Sequence, residues 1–590
     1  MKTLALQGPS RRYKEVTNTK ADGATFTPAS LAEFVASQLV KLAGPINSSA
    51  RLKALDPAVG EGALLIGLLN ELRKQGIEDL DVYGFETNER SSVIALERLK
   101  ILFPRATFFF SNENFLDFAD RIAANEGSLF ASDQPRFDLI IANPPYVRTQ
   151  VLGSGIAQKL ARHYGLTGRV DLYYAFVLAM GWVLSERGTA GIIVSNRFMT
   201  TRSGAALRKA ILETLLVAKI WDLGDTKLFN AAVLPAVMLL QHHHQSRTEP
   251  NAPGFTTIYE TQNRPVAAAL DPIDALRLTG SVSVPDGRCF RVQHGVLNVD
   301  TDKASVWTIS TSDSDSWLTT VKAHTWGTFS DIGDIRVGIK TCADKVFIRS
   351  DWNTLPEHQR PELLLPLTTH HAARRFKADA NSQSKMVLYP HTVIEGRRKT
   401  IDLRFYPKTK SYLETHYQTL LSRNYVTEAG RQWYEIWVPQ DPDAWSATKL
   451  VFRDISEKPT FWVDQKGTVV NGDCYWLTPR SHNAEDLLWL ALAVSNSTFI
   501  EDFYDHSFNN KLYAGRRRFI TQYVERFPLP DPSRSVSRQL IMLSKKIYEG
   551  TPSEEASSLE ASLNELVWTA FGLPFDKDRS QSKKVVGSGI

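Results

Sequence analysis

The sequence predicts an α/β protein whose first part forms a mostly parallel sheet and whose second part forms a separate, mixed α+β domain. Strand-type and helix-type patterns alternate through about the first 245 residues, as in a sheet with crossover helices. The strand-type runs are rich in β-branched and aromatic residues, which is typical of strands buried on both faces. After residue 254 this alternation ends, and short strand patterns with many tryptophans and tyrosines follow. A chain of 590 residues is also too long for one hydrophobic core, so at least two domains are expected.

Seven strand-type segments make up the predicted sheet. They lie at residues 52–57, 81–88, 106–112, 137–146, 190–196, 217–225 and 232–243. Helix-type segments between them lie at 63–72, 89–102, 172–186 and 208–215. The last strand is expected to close the sheet. One connection, 148–170, is long, polar and contains glycines, which is typical of a lid or a binding loop.

Changes in composition predict the domain boundaries. The expected divisions are a first domain over 1–245, an irregular connecting region over 246–325, a second domain over 326–575 and a disordered tail over 576–590. The strongest patterns of the second domain are strands within 332–348 and 467–479, a helix over 484–504 and a terminal helix near 562–573.

The bulk composition excludes several classes of protein. Hydrophobic residues make up 43% of the chain and charged residues 23%, which is ordinary for a globular protein. No run approaches the ~18 apolar residues of a membrane span, and the first residues are too weakly apolar for a signal peptide. The three cysteines, Cys289, Cys342 and Cys474, are too far apart for a disulfide framework or a zinc site, which points to a reducing cytoplasm. The histidine run 242–244 lacks further ligands at suitable spacing, so no metal site is predicted.

The turn Asn143-Pro144-Pro145-Tyr146 ends the fourth predicted strand and is the first candidate site. The two prolines make this turn stiff, because their rings fix the backbone angle φ. The Asn143 side chain and the Pro144 carbonyl offer two hydrogen-bond acceptors at close range, and Tyr146 offers a flat ring. This set suits a planar substrate with an exocyclic amino group, such as adenine. A strand-ending turn without chemistry is the alternative, and the neighbouring motifs must decide between the two.

The segment DPAVGEG at 56–62 ends the first predicted strand and begins a helix. Its glycines let the backbone approach a ligand, and the N–H groups of a helix N-terminus can bind a carboxylate. It is neither a Walker loop nor a full dinucleotide motif, which argues against nucleoside triphosphates and nicotinamides. Glu86 lies thirty residues after Asp56, at the tip of the second strand, where a carboxylate can accept both ribose hydroxyls. A generic Gly-rich turn is the alternative.

Together these motifs resemble those of S-adenosylmethionine-dependent methyltransferases, and their order resembles the TaqI-like gamma class of DNA adenine methyltransferases. Cofactor motifs come first, the NPPY turn follows, and a large second domain comes last. The resemblance implies a Rossmann-like sheet of seven strands whose last strand is antiparallel. Two further segments resemble cofactor motifs of this family, GATFTPASLAEFV at 23–35 and SNENFLDF at 111–118.

The resemblance implies S-adenosylmethionine as cofactor and a role for each matching residue. The implied cofactor-binding residues are Thr25, Thr27, Pro28, Asp56, Pro57, Ala58, Gly60, Gly62, Glu86, Asn114, Phe115 and Asn143, with Asp117 as the alternative to Asn114. The implied catalytic residues are Asn143, Pro144, Tyr146 and Phe229, of which the two aromatic residues stack on a flipped-out adenine. Phe229 ends the segment LGDTKLF at 223–229, which is two residues longer than the family's pattern, so a core position is its alternative role. Phe176 is expected to lie near the cofactor or in the core of its helix.

The implied substrate is double-stranded DNA, read by the second domain and methylated at N6 of adenine, which protects DNA in a restriction-modification system. The net charge of +5 allows polyanion binding. The candidate DNA contacts are Arg148, Lys340, Arg397, Arg398, Lys399, Arg516, Arg517 and Arg518. We expect a monomer in the bacterial or archaeal cytoplasm, associated with the nucleoid and not with a membrane, and a restriction endonuclease encoded separately.

Three other functions are compatible with parts of this pattern. An N4-cytosine DNA methyltransferase uses the same chemistry, although its turn more often begins with serine. RNA and protein-glutamine methyltransferases can also carry NPPY, but their chains are usually much shorter. A non-enzymatic specificity subunit with a relic cofactor domain is the third, and the intact Asp56, Glu86 and 143–146 set argues against it.

Overall fold

The computed structural model describes two compact units. It covers residues 27–45, 51–124, 135–146, 154–167, 171–229, 234–242, 252–299, 302–379, 385–480, 484–508, 516–550 and 553–575. The first unit comprises the described residues up to Thr311, and the second comprises those from Ser312 onward. Within these ranges no helix has the length and apolar character needed to cross a membrane.

The first unit contains a sheet of twelve strands among its described residues. The strands are β1 (Leu52–Asp56), β2 (Leu80–Phe85), β3 (Thr107–Ser111), β4 (Phe137–Ala142), β5 (Leu184–Ser195), β6 (Leu215–Asp222), β7 (Pro235–His242), β8 (Gly254–Glu260), β9 (Ala267–Ala268), β10 (Gly280–Ser283), β11 (Cys289–Asn298) and β12 (Thr308–Ser310). Their order is β3-β2-β1-β4-β5-β7-β6-β8-β11-β10-β9, and β12 pairs with β11.

Strand β7 runs antiparallel to both of its neighbours, β5 and β6. This confirms the predicted direction of the seventh strand, but the prediction that it closes the sheet is wrong. The sheet continues beyond β6, because β8 pairs with β6 in parallel and β11 pairs with β8. The segment predicted as irregular therefore contributes strands to the sheet. Its pattern was misleading because β8 includes the polar residues Thr256 and Thr257, which are nevertheless buried.

Helices cover both faces of this sheet. They are α1 (Ala29–Ala43), α2 (Ala63–Lys74), α3 (Glu89–Leu102), α4 (Phe115–Ala124), α5 (Ser154–His163), α6 (Leu172–Val183), α7 (Ala205–Thr214) and α8 (Pro272–Ala275). Successive strand residues point to opposite faces, so Leu55 and Ile140 belong to one core while Ala54 and Ile141 belong to the other. Helices α4, α6 and α7 pack on the first core, and α1, α2 and α3 pack on the second. The long connection at 148–170 includes helix α5.

The second unit consists of smaller sheets and helices. Its strands are β13 (Gly327–Thr328), β14 (Gly333–Val337), β15 (Ile348–Arg349), β16 (Leu364–Thr368), β17 (Phe376–Lys377), β18 (Lys385–Leu388), β19 (His391–Ile394), β20 (Arg397–Thr400), β21 (Lys449–Arg453), β22 (Ile455–Ser456), β23 (Phe461–Asp464), β24 (Val469–Val470), β25 (Cys474–Pro479), β26 (Arg517–Arg518) and β27 (Pro528–Leu529). Its helices are α9 (Ser312–Ala323), α10 (Phe329–Ile332), α11 (Asp344–Phe347), α12 (Pro407–Thr415), α13 (Tyr417–Leu421), α14 (Asn424–Glu428), α15 (Glu485–Ser495), α16 (Thr498–Phe508), α17 (Thr521–Val524), α18 (Ser535–Glu549) and α19 (Ser553–Ala570).

The helix predicted over 484–504 is two helices, α15 and α16. They are separated at Asn496, whose side chain accepts a hydrogen bond from Phe461 N (3.1 Å) and donates one to Phe461 O (3.0 Å). This pairing joins the break between the helices to β23. The predicted tail, 576–590, lies outside the described residues.

Candidate active site

The loop after β1 and the tip of β2 are joined by hydrogen bonds. Gly60 N donates to Glu86 Oε2 at 2.9 Å, and Asn88 N donates to Glu86 Oε1 at 2.8 Å. Gly60 has φ +53°, and a Cβ placed there would meet no atom within 4 Å. The backbone therefore lies beside open space at this point, which suits a ligand that approaches the main chain closely.

Asp56 is the buried carboxylate of this loop. It is 1% exposed, and its Oδ1 accepts a hydrogen bond from Ala58 N at 2.9 Å. Burial raises the pKa of Asp56 to about 7, with a further increase from nearby Glu86 and an opposing decrease from the Ala58 N–H. A cationic ligand group would compensate this buried charge, as the ammonium and sulfonium groups of S-adenosylmethionine can.

At the tip of β3, Asn114 and Phe115 have different surroundings. Asn114 is exposed, and its Oδ1 accepts a hydrogen bond from Leu116 N at 3.0 Å, at the start of α4. Phe115 is 1% exposed, and its ring centroid lies 5.6 Å from that of Phe176. Phe176 packs on Phe115 within the first core, which is one of its two expected positions. Asp117 is exposed.

The NPPY turn contacts the start of α1. Asn143 Nδ2 donates a 3.0 Å hydrogen bond to Thr27 Oγ1, which precedes Pro28 and the helix. The Tyr146 ring packs against the first core, with its centroid 5.9 Å from that of Tyr173. Its hydroxyl is buried without a hydrogen bond to any described residue, and burial raises the pKa of Tyr146 well above the usual value. Thr25 lies outside the described residues.

Phe229 follows β6 at the same edge of the sheet as the NPPY turn. It is 8% exposed and belongs to the second core, whereas Tyr146 packs against the first. The two aromatic residues therefore contact different cores, and both follow strands whose carboxyl ends lie at the edge where ligands of open α/β sheets bind.

A buried network at the ends of β5, β6 and β8 was not predicted. Tyr259 Oη donates to Asp222 Oδ2 at 2.6 Å, and Asn196 Nδ2 donates to Asp222 Oδ1 at 2.9 Å. Gly224 N also donates to Asp222 Oδ1, at 3.1 Å. Burial raises the pKa of Asp222 to about 6, although these three donors lower it and nearby Asp225 raises it further.

Further hydrogen bonds beside this network hold the loop that leads to Phe229. Asp225 Oδ1 accepts from Glu260 N at 2.7 Å, and Arg288 Nη1 donates to Thr226 O at 2.8 Å. A Cβ at Gly224 would overlap the carbonyl oxygen of Ile258, so this loop approaches β8 as closely as glycine allows. One sequence signal could have revealed the network. Asp222 ends a buried strand shortly before a glycine, as Asp56 does.

The candidate DNA contacts differ in their environments. Arg397, Arg398, Lys399, Lys340 and Arg516 are exposed, and Arg148 lies outside the described residues. Arg517 is 7% exposed and pairs with Asp505 at 2.8 Å, and Arg518 pairs with Asp454 at 3.1 Å. The expectation that Arg517 contacts DNA does not fit this structure, because its buried guanidinium pairs with Asp505 and Glu501. The three arginines at 516–518 could not be distinguished in the sequence, because sequence alone does not reveal which of them is buried.

Two family models match parts of this chain. Residues 69–229 match the model of the Eco57I restriction-modification methylases, and residues 401–529 match that of the TaqI-like C-terminal specificity domain. The chain is 36% identical over 572 residues to the Type II methyltransferase M.BanIII of Aneurinibacillus aneurinilyticus, covering 94% of this chain and 97% of that protein. It is 26% identical to the Type II methyltransferase M.BstVI of Geobacillus stearothermophilus, covering 68% of this chain and 69% of that protein.

Solved structures share the fold at low identity. The Type IIL restriction-modification enzyme MmeI, solved in complex with DNA, has a TM-score of 0.57 and 14% identity over 95% of this chain and 74% of its own. These matches show that the chain belongs to the restriction-modification DNA methyltransferases of the TaqI-like gamma class, which use S-adenosylmethionine. The open backbone at Gly60 and the buried Asp56 fit that cofactor.

Proposed function

We propose that this methyltransferase transfers the methyl group to N6 of an adenine flipped out of duplex DNA. The observation that supports it most is the hydrogen bond from Asn143 Nδ2 to Thr27 Oγ1. Asn143 Nδ2 donates to Thr27, so the opposite atom of the amide, Oδ1, would be the one to accept from an amino group of the substrate.

Asn143 and Pro144 would act on the amino group of the base. The adenine N6 is a poor nucleophile because its lone pair is delocalised into the ring. Asn143 Oδ1 and the Pro144 carbonyl oxygen would each accept one N6–H, which draws the nitrogen toward tetrahedral geometry and localises its lone pair. S-adenosylmethionine supplies the electrophilic methyl group when it is bound. Catalysis by this chain is then positioning by preorganised dipoles.

Tyr146 and Phe229 would stack on the two faces of the adenine. A base within a duplex cannot reach this turn, so it must leave the helix, at a cost of a few kcal/mol. Stacking on aromatic rings offsets about 1–3 kcal/mol per base. Both residues follow strands that end at the same edge of the sheet, which supports a base held between them.

The same proposal assigns roles to the two units and to the cofactor-binding residues. The first unit would be the catalytic domain and the second the target-recognition domain, with Lys340, Arg397, Lys399 and Arg516 among its DNA contacts. Thr27, Pro28, the 56–62 loop and Glu86 would hold the cofactor, and Asn114 and Phe115 would lie beside its adenine. The protein would act as a monomer in the cytoplasm, at the nucleoid, and a separately encoded endonuclease would cleave unprotected DNA.

Replacing the amide of Asn143 tests this function. Asn143→Ala should abolish methyl transfer from labelled S-adenosylmethionine to duplex DNA while cofactor binding, measured by calorimetry, persists. Asn70→Ala, an amide on the surface of α2, is the matched control and should keep full activity. An active Asn143→Ala protein would contradict the mechanism.

A further inference from the structure

We propose that one face of the hairpin formed by β19 and β20 enters the major groove of duplex DNA and reads base edges there. This proposal rests on the proposed DNA methylation. It adds an assignment of which surface of the second unit contacts the bases.

The hairpin has a two-residue turn that fixes its register. Ile394 pairs with Arg397 across the turn, and Glu395 and Gly396 have φ +52° and +70°. Directly opposed residues of an antiparallel pair share one face, and the faces alternate along each strand. The outer face therefore consists of Thr392, Ile394, Arg397 and Lys399, and the inner face of His391, Val393, Arg398 and Thr400.

The inner face attaches the hairpin to its own unit. His391 is 6% exposed, and its Nε2 accepts a hydrogen bond from Ile436 N at 3.1 Å. Arg398 Nη1 donates to Gln440 O at 3.1 Å. These contacts hold the base of the hairpin and leave the outer face to solvent.

The outer face of the hairpin is basic and exposed. Arg397 and Lys399 are exposed and have no acidic partner among the described residues. By contrast, Arg374 pairs with Asp379 at 2.8 Å, and Arg404 pairs with Asp402. Ile394 is 45% exposed on the same face as the two unpaired cations. A face with an apolar side chain beside two cations suits a polyanion that also has apolar groups.

Duplex DNA fits this face in size and chemistry. A two-stranded ribbon, with strands about 4.8 Å apart, can enter a major groove about 12 Å wide. Arg397 at the tip would donate to a guanine edge and Ile394 would contact a thymine methyl group, while Lys399, farther from the tip, would contact a phosphate.

The identity of the turn residue Glu395 supports a role of the hairpin in base recognition. Its φ of +52° is the left-handed region, which costs a residue with a side chain about 1 kcal/mol and which asparagine or glycine tolerates better. A glutamate is thus a poor choice for the turn alone, but its carboxylate can accept a hydrogen bond from the amino group of cytosine.

Mapping of methylated positions in plasmid DNA, followed by binding to a duplex with the mapped site, tests the proposal. Lys399→Ala should lower the slope of log affinity against log salt by about 0.9 on every duplex. Arg397→Ala should weaken binding to the mapped site about tenfold and add methylated sites that differ at one base pair. The controls Arg374→Ala and Arg404→Ala make the same change of charge. They should alter neither the salt dependence of binding nor the set of methylated sites.

The variant Glu395→Asn distinguishes a role of Glu395 in base recognition from a role in the stability of the turn. It should raise the melting temperature, because asparagine suits the turn, and yet broaden the set of methylated sites. If the wild-type protein methylates DNA but all three hairpin variants behave like the controls, the hairpin proposal is wrong and the methylation function stands. If the wild-type protein does not methylate DNA, the proposed function itself is wrong.

Discussion

Thr27 accepts a hydrogen bond from the side chain of Asn143 at 3.0 Å, across 116 residues of sequence. It joins the start of the first helix to the turn after β4. In the proposed mechanism, the other atom of this amide, Asn143 Oδ1, accepts from the amino group of the substrate.

Thr27→Val should therefore slow methyl transfer with little effect on folding. Loss of one hydrogen bond of about 1 kcal/mol lets the amide rotate, and we expect the single-turnover rate to fall about fivefold. Thr27→Ser keeps the hydroxyl and should restore the rate. Equal rates for the valine and serine variants would show that the hydroxyl does not orient Asn143.

Asp56 should make cofactor binding depend on pH. Because its pKa is raised to about 7, the folded protein keeps this carboxyl largely protonated below that pH and ionised above it. A cationic cofactor favours the ionised form. The affinity of the wild-type protein for S-adenosylmethionine should therefore rise relative to that of Asp56→Asn between about pH 6 and about pH 8. Calorimetric titrations of both proteins measure this, and parallel pH profiles would refute it.

Tyr259→Phe should loosen the loop that leads to Phe229. It removes the 2.6 Å hydrogen bond to Asp222, a bond to a charged group that contributes about 1.5–3 kcal/mol. We expect a lower unfolding free energy and also a smaller rise in fluorescence of 2-aminopurine at the target base. Tyr83→Phe is the control, because the Tyr83 hydroxyl makes no hydrogen bond to a described residue. Unchanged fluorescence in Tyr259→Phe would mean that the network does not support base flipping.

Replacing Arg517 should lower stability, whereas replacing its neighbour Arg516 should change only DNA binding. Arg517→Met leaves Asp505 and Glu501 without their buried cation and should lower the unfolding free energy by about 3–5 kcal/mol. Arg516→Met should leave stability unchanged and reduce the salt dependence of DNA binding. Denaturant unfolding and binding titrations compare the two. A stable Arg517→Met protein with weakened DNA binding would restore the original expectation for that residue.

Local motifs explain how much of the first unit could be predicted. The β1 to β7 segments, the 56–62 loop and the NPPY turn are each encoded within about ten residues, where strand pattern and turn residues coincide. The structure brings Gly60 to Glu86 and Asn143 to Thr27, and both pairs involve segments that the sequence had singled out.

Long-range pairing explains what could not be predicted. Tyr259 meets Asp222 only because β8 pairs with β6, and no local pattern specifies that register. Similarly, Arg517 and Arg516 are equivalent in sequence, and only the packing around Asp505 distinguishes them. The outer face of the β19–β20 hairpin could not be predicted either, because the register of the two strands decides which residues share that face.

Analysis of nucleosides after incubation with labelled S-adenosylmethionine and duplex DNA shows which base the protein methylates. We expect labelled N6-methyladenine in duplex DNA and its loss in Asn143→Ala. Labelled N4-methylcytosine would contradict the adenine assignment, and label found only in RNA or protein would contradict N6-adenine methylation of DNA.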